Sequence, residues 1–331
     1  MSSRREDVLL AFNRLADRAA RGEVPKDGYA VEPFGDGSGS AFLGSTAEGE
    51  FALLVNTERS SVPPPPVRLA GLSADFGILC SLSSGTEEKT LRLSSLRCNV
   101  TDRTVADLFG TVCAALVDAL SHRPTEREFA DEIGRWSSLF WRLNQRAETD
   151  VVGLAGELVV ISEAPDCGVW LRAWHAEASD ALDFAFLDSP VTVEVKSTRS
   201  PNREHIVSAN QVSEPGLNHR YFASVNIELN DSGRSIGDVV RDLVDRAPTD
   251  EVRLGFWGAL ASTCGEGLEE VMSRRFNIEK AIISLRFYRA GDVPRPEIIE
   301  PLPQGVSSVK FTSNFALADE FPIARIDAAA Q

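Results

Sequence analysis

A chain of 331 residues, 43% hydrophobic and 25% charged, has the balance of an ordinary globular protein and is long enough for two domains or one large elaborated one. Its net charge of −15 excludes broad, non-specific coating of nucleic acid, which depends on Lys and Arg, but leaves room for a local basic groove. No apolar run reaches the length of a membrane span, and the five cysteines lack the paired spacing of a zinc site or disulfide framework, so a reducing cytoplasm and no membrane are expected.

The N-terminal stretch MSSRREDVLLAFNRLADRAARG places Val8, Leu9, Phe12, Leu15, Ala16 and Ala19 at helical spacing, with Gly22 as a stop. That pattern reads as an amphipathic helix and not as a signal peptide. Residues 29–100 are β-rich, with YAVEPF, SAFLG, EFALLVN, VRLAGL, FGILCSL and KTLRLSSL as short runs between Gly, Ser and Pro clusters. Pro63 to Pro66 read as a rigid connection. Thr104 opens a helix with Val105, Leu108, Phe109, Val112, Leu116 and Leu120 on one stripe. Another follows Pro124, with Phe129, Ile133, Trp136, Phe140 and Leu143 as its apolar face.

Val151 to Ile161, VVGLAGELVVI, is apolar almost all the way round, as a buried helix would be, and Glu157 is its single charge. A buried carboxylate without a partner is costly or shifts its pKa. Glu157 therefore meets a cation in a structural salt bridge, points into a polar cavity, or contributes to a metal site. Cys167 and the tryptophans Trp170 and Trp174 lie in the following connection and read as core.

The stretch LDFAFLDSPVTVEVK reads as two strands, Leu182 to Leu187 and Val191 to Lys196, joined by a turn at Asp188-Ser189-Pro190. Side chains alternate along a strand, so Thr192, Glu194 and Lys196 share one face, while Phe184, Phe186, Val193 and Val195 fill the other. With Leu187 facing Pro190, Asp183 falls directly opposite Glu194. Two carboxylates and a lysine on one sheet face fit a solvated surface as well as a site.

Beyond the hairpin, the stretch STRSPNREHIVSANQV holds Arg199, Arg203 and His205, and Ile206 to Val212 reads as the start of a helix carrying Ser208 and Gln211. Tyr221 to Leu229 reads as a strand, Ile236 to Val244 as a helix, Arg253 to Leu260 as a strand or short helix, Leu268 to Phe276 as a helix, and Lys280 to Tyr288 as a strand. The tail from Val293 reads as irregular β-structure. The histidines, His122, His175, His205 and His219, show no metal-ligand spacing, and His205 is the one nearest the hairpin in sequence.

The order GLAGEL, LDF, VEVKST and IVSANQV resembles the PD-(D/E)XK nuclease superfamily, in particular a family of such proteins found among restriction and phage-defence clusters. The resemblance covers about Glu126 to Leu260, and FYRAGDVPRPEI extends it towards the C-terminus. Leu182 stands where the motif often has proline, and the acidity is unusual for an autonomous DNA nuclease.

The resemblance implies an α/β (α+β) fold: a restriction-endonuclease-like core with a central mixed β-sheet flanked by helices. It places that core, with a C-terminal β extension, in residues 125–331, behind an N-terminal α+β region of residues 1–124. It implies metal-dependent hydrolysis of DNA in a restriction or phage-defence setting, with Mg2+ or Mn2+ as cofactor. A helicase-like ATPase or methyltransferase is an expected partner, and a homodimer an admissible assembly.

Phosphodiester hydrolysis needs a hard cation to neutralise phosphate and make water nucleophilic. Asp183, Glu194, the Val195 carbonyl and Glu157 are the expected metal ligands. Lys196 would orient or deprotonate the water, or steady charge on phosphorus. Gln211 and Ser208 would hold the carboxylates or a phosphate, and Arg199 and Arg203 are candidate phosphate contacts or solvated loop residues. A non-catalytic module that binds nucleic acid or a partner protein, and a phosphodiesterase acting on RNA or nucleotides, remain alternatives.

Overall fold

The computed structural model describes residues 2–25, 28–35, 40–69, 71–84, 87–98, 103–142, 150–175, 182–200, 202–212, 217–297 and 309–330. They form a mixed α+β structure of two compact units, Met1–Ala147 with Cys264–Glu269, and Glu148–Thr263 with Glu270–Gln331.

The first unit opens with helix α1 (Ser2–Ala20), followed by strands β1 (Gly28–Phe34), β2 (Ala41–Ser45), β3 (Phe51–Val55), β4 (Val67–Leu69), β5 (Leu72–Ser84) and β6 (Glu87–Cys98). Antiparallel pairing runs β1-β2-β3-β6-β5, and a parallel pairing of β1 with β5 closes those five strands into a barrel, with β4 on the edge of β5. Closure leaves no long edge exposed. The stripe expected on α1 is buried at Val8, Phe12 and Leu15, and the Phe12 ring lies 4.5 Å from that of Phe51. Gly22 takes a left-handed φ of 71° just past the end of the helix, as a helix stop requires. Pro63 to Pro66 connect β3 to β4. Helices α2 (Arg103–Ala119) and α3 (Glu126–Arg142) follow. Leu108, Phe109, Val112, Leu116, Phe129 and Ile133 are buried as their spacing predicts. The side chains of Val105 and Phe140, and all of Leu143, lie outside the described residues.

The chain continues through α4 (Val151–Glu163), α5 (Cys167–Ala173), β7 (Phe184–Ala185), β8 (Thr192–Thr198), β9 (Glu204–Ser208), β10 (Arg220–Asn226), β11 (Leu229–Ser235), α6 (Ile236–Arg246), α7 (Asp250–Cys264) and α8 (Leu268–Ser273). It closes with β12 (Arg275–Phe276), α9 (Ile278–Ser284), β13 (Arg286–Arg289), β14 (Lys310–Asn314) and α10 (Ile323–Ala330). The main sheet has the order β13-β10-β8-β7; β8 and β10 are parallel, and β7 and β13 run antiparallel to their neighbours. Buried helix α4 packs on this sheet. A Cβ at Gly156 would overlap the Ser197 hydroxyl on β8 and a Val225 methyl on β10, so only glycine lets the helix lie this close. On the other side of the sheet, β9 pairs with β14, and Val207, Phe222, Tyr288 and Phe315 form a shared core.

Three expectations are corrected. Ile206 to Val212 is not a helix: β9 alternates buried His205 and Val207 with exposed Glu204 and Ile206, and only a single turn, Ala209–Gln211, follows it. Its strand partner β14 comes from about a hundred residues later in the chain, which local pattern does not reveal. Lys280 to Tyr288 is not one strand, because Asn277 accepts from the Lys280 N–H as an N-cap and starts α9, leaving only Arg286–Arg289 extended. Leu268 to Phe276 is helical only to Ser273, after which Phe276 pairs with β11. The PLPQG part of the tail lies outside the described residues. Among the described residues no helix is long and apolar enough to cross a membrane, and all five cysteines are buried.

Candidate active site

The site is built on the edge of the main sheet where β7 meets β8. Phe184 pairs with Val193 and Ala185 with Thr192, which is the register that sets Asp183 opposite Glu194. Regular strand β7 is short, because the Asp183 carboxylate itself continues the ladder: its Oδ2 accepts from the Val195 N–H at 2.6 Å. Phe184 and Phe186 are buried against Trp170, with ring centroids 5.2 and 5.0 Å away, and this apolar face fixes which way the hairpin turns. At the turn Asp188 takes a φ of 61°, a conformation Asp tolerates better than most residues.

Glu194 projects from the middle of β8 and is only 7% exposed. Its Oε1 accepts from Lys196 Nζ at 2.9 Å and from Gln211 Nε2 at 2.5 Å. The Gln211 amide is oriented by its own Oε1, which accepts the Ser208 N–H at 3.1 Å, so its NH2 group must face Glu194. The other carboxylate oxygen of Glu194, Oε2, is buried and has no hydrogen-bond partner among the described residues. Burial pushes the Glu194 ionisation up, and the Lys196 charge opposes that rise. Asp183 is pushed up to about 8, first by burial and then by the charges of Glu157 and Glu194. Too many carboxylates share too little positive charge.

Glu157 reaches this cluster from α4. Its Oε2 accepts from Trp174 Nε1 at 2.8 Å and lies 3.1 Å from His175 Nε2. Ligand atoms of Glu157, His175 and Asp183 all lie within 4.8 Å of one another. Two of the three segments are tied by backbone: the His175 N–H donates to the Asp183 carbonyl at 3.1 Å, and Trp174 bridges to Phe184.

Asp183 and Glu157 are thus gathered with His175, while Glu194, Lys196 and Gln211 form a second set whose charge reaches Asp183. Ser208 takes part through its backbone N–H. Val195 is half-buried on β8, and its N–H is the group that holds Asp183. The two arginines separate. Arg199 is exposed, whereas Arg203 spends its guanidinium on the Ser224 carbonyl and hydroxyl, at 3.1 and 2.9 Å, and on the Ser284 carbonyl. Both line a crevice of about 270 Å³ at the C-terminal ends of β8 and β10, with Thr198, Asn202, Asn226 and Lys280.

The histidine nearest the hairpin in sequence is not the one at the acids. His205 is buried, 2.8 Å from the Ser224 hydroxyl and packed on Phe315, and its ionisation is pushed down to about 4, first by burial and then by the charges of Lys196 and Arg203. His175 is the histidine at the cluster. Its partners Glu157 and Asp183 come from two other segments of the chain, so no ligand spacing announces it; the nearest signal is its place eight residues before Asp183, next to a buried tryptophan.

Three carboxylates at the edge of a mixed sheet, one of them buried with an unsatisfied oxygen, have the donor chemistry of a divalent-cation site. The chain belongs to the family described as "Putative PD-(D/E)XK family member", whose model matches residues 31–316, and that description points to a nuclease. Comparison with the curated proteins and with the solved structures gives no match.

Proposed function

We propose that the protein is a Mg2+- or Mn2+-dependent endodeoxyribonuclease of a restriction or phage-defence system, its second unit built on a restriction-endonuclease-like core. The observation that carries this reading is Glu194 Oε2, a buried carboxylate oxygen with no hydrogen-bond partner among the described residues, on the strand position opposite Asp183. Leaving such an atom unmade costs about 1–3 kcal/mol or more, and a cation relieves it. All-oxygen donors from Asp183, Glu194 and Glu157, with the Val195 carbonyl as a further oxygen, fit a hard divalent ion. When bound, such an ion neutralises phosphate charge and makes water nucleophilic near neutral pH.

The chain's own residues do the rest. Asp183 is fixed by the Val195 N–H, and Glu194 by Gln211, so neither carboxylate has to reorganise. Lys196, beside Glu194 and only partly exposed, orients the attacking water, accepts its proton or stabilises charge on the phosphoryl oxygens. Arg199 contacts a flanking phosphate, while Arg203 and Ser208 hold the walls of the site. The chain's own charge of −15 favours action beside a partner that supplies DNA affinity, such as a helicase-like ATPase or a methyltransferase, with a homodimer as the other assembly.

The test is cleavage of plasmid and linear DNA with Mg2+ or Mn2+, alongside Asp183→Ala and Lys196→Ala. Cleavage that needs the ion and disappears in both variants supports the reading. Cleavage unchanged in both contradicts it, and salt-sensitive DNA binding without any cleavage would point to a catalytically silent binding module.

A further inference from the structure

We infer that His175 is a ligand of the cation at this site, and that its imidazole makes the centre prefer Mn2+ over Mg2+. This deepens the nuclease reading and rests on it for the role of the site, but metal binding can be measured without DNA.

Three observations converge. The first is spacing. Two donors each about 2.1 Å from one ion and at right angles to each other stand about 3 Å apart. His175 Nε2 and Glu157 Oε2 are 3.1 Å apart, and the Asp183 carboxylate completes a set lying within 4.8 Å. The second is that the imidazole is held in place at some cost. His175 has a φ of 46°, a left-handed backbone that a non-glycine residue adopts only when its surroundings impose it. The imposition comes from the His175 N–H bond to the Asp183 carbonyl and from Trp174, whose backbone bridges to Phe184 and whose indole N–H anchors the Glu157 oxygen facing His175. The same contacts that strain the backbone aim the ring at the acids. The third is Glu194 Oε2, buried and without a partner among the described residues, across the strand pair from Asp183. An imidazolium paired with Glu157 would leave that oxygen unanswered. A cation held at Asp183, whose charge already acts on Glu194, offers that oxygen positive charge.

Donor type then sets selectivity. Mg2+ keeps to oxygen donors in a near-ideal octahedron, whereas imidazole suits the transition metals and raises their affinity relative to Mg2+. One nitrogen among the carboxylates therefore places Mn2+ ahead of Mg2+ at this centre.

The experiment is calorimetric titration of the full chain with Mn2+ and with Mg2+, in wild type and His175→Gln, together with pulsed electron paramagnetic resonance of the Mn2+-bound wild type. Gln can still donate to Glu157, so the variant isolates the ring nitrogen. The expected result is a nitrogen hyperfine coupling that changes when histidine is isotopically relabelled. Mn2+ binding should weaken about tenfold or more in the variant while Mg2+ binding changes by less than about threefold. A wild-type Mn2+ signal with no histidine coupling overturns the inference whether or not the variant folds. DNA cleavage by such a protein leaves the nuclease reading standing, and histidine-coupled Mn2+ on a protein that cuts nothing sinks the nuclease reading and leaves the ligand in place.

Discussion

Glu126 in the first unit and Glu194 in the second are both almost fully buried, and the protein treats them in opposite ways. Glu126 Oε1 pairs with the Arg92 guanidinium, and its Oε2 accepts the Ser60 N–H at 3.2 Å. It lies in the first turn of α3, where the helix dipole favours negative charge. Gly77 makes the space: it sits at a φ of 58°, and a Cβ there would overlap both Arg92 and Glu126. Every oxygen is answered. Glu194 has one oxygen answered twice and the other not at all among the described residues, with Asp183 and Glu157 adding negative charge beside it. A carboxylate buried for structure carries its full set of partners. One buried for binding leaves a place for something else.

The largest effect that can break this contrast is on catalysis. Lys196→Ala should lower single-turnover DNA cleavage by about 10²- to 10⁴-fold and leave the melting temperature close to wild type. A large loss of stability with little loss of rate would make Lys196 a structural counter-ion like Arg92. Glu126→Gln should do the opposite: about 2 kcal/mol of destabilisation in urea unfolding, with the cleavage rate of the folded protein unchanged. Gln211→Ala should have a smaller effect, about tenfold in metal affinity or rate, because Glu194 keeps Lys196 while losing the donor that fixes its orientation. Metal titration of that variant checks it.

The pH dependence sharpens the same contrast. Asp183 has a folded pKa of about 8, raised above its unfolded value of about 4. The native state therefore binds the extra proton in that window. The group costs nothing below the unfolded value, and metal-free stability falls as pH rises from about 4 towards about 8. Binding a cation expels the proton and flattens the slope. Melting curves in EDTA and in Mn2+, from about pH 5 to about pH 9, test this; a metal-free protein that gains stability across that range would refute it.

Much of the site was legible in the sequence, for identifiable reasons. The two-residue period and the Asp188-Ser189-Pro190 turn define the β7–β8 register, so the facing of Asp183 and Glu194 could be read before the structure. A single charge in an apolar helix marked Glu157. What stayed hidden depends on chain segments that meet only in three dimensions. His175 reaches the acids through a backbone bond to Asp183, and β9 is a strand because β14 pairs with it. Gln211 reaches Glu194 from a single turn at the end of that strand and not from a helix. The closure of β1 on β5 is a pairing between strands far apart in the chain, which short alternating runs announce only as β-rich sequence.

The most direct test of the central claim, that the second unit buries acids in order to hold a cation, is the melting temperature of Asp183→Asn with and without Mn2+. If the acids are held together for an ion, removing one charge relieves repulsion. The metal-free variant should then melt at or above the wild-type temperature, and Mn2+ should no longer stabilise it. A metal-free variant that melts several degrees lower, and that Mn2+ still stabilises as it does wild type, would make Asp183 a structural residue and contradict the account.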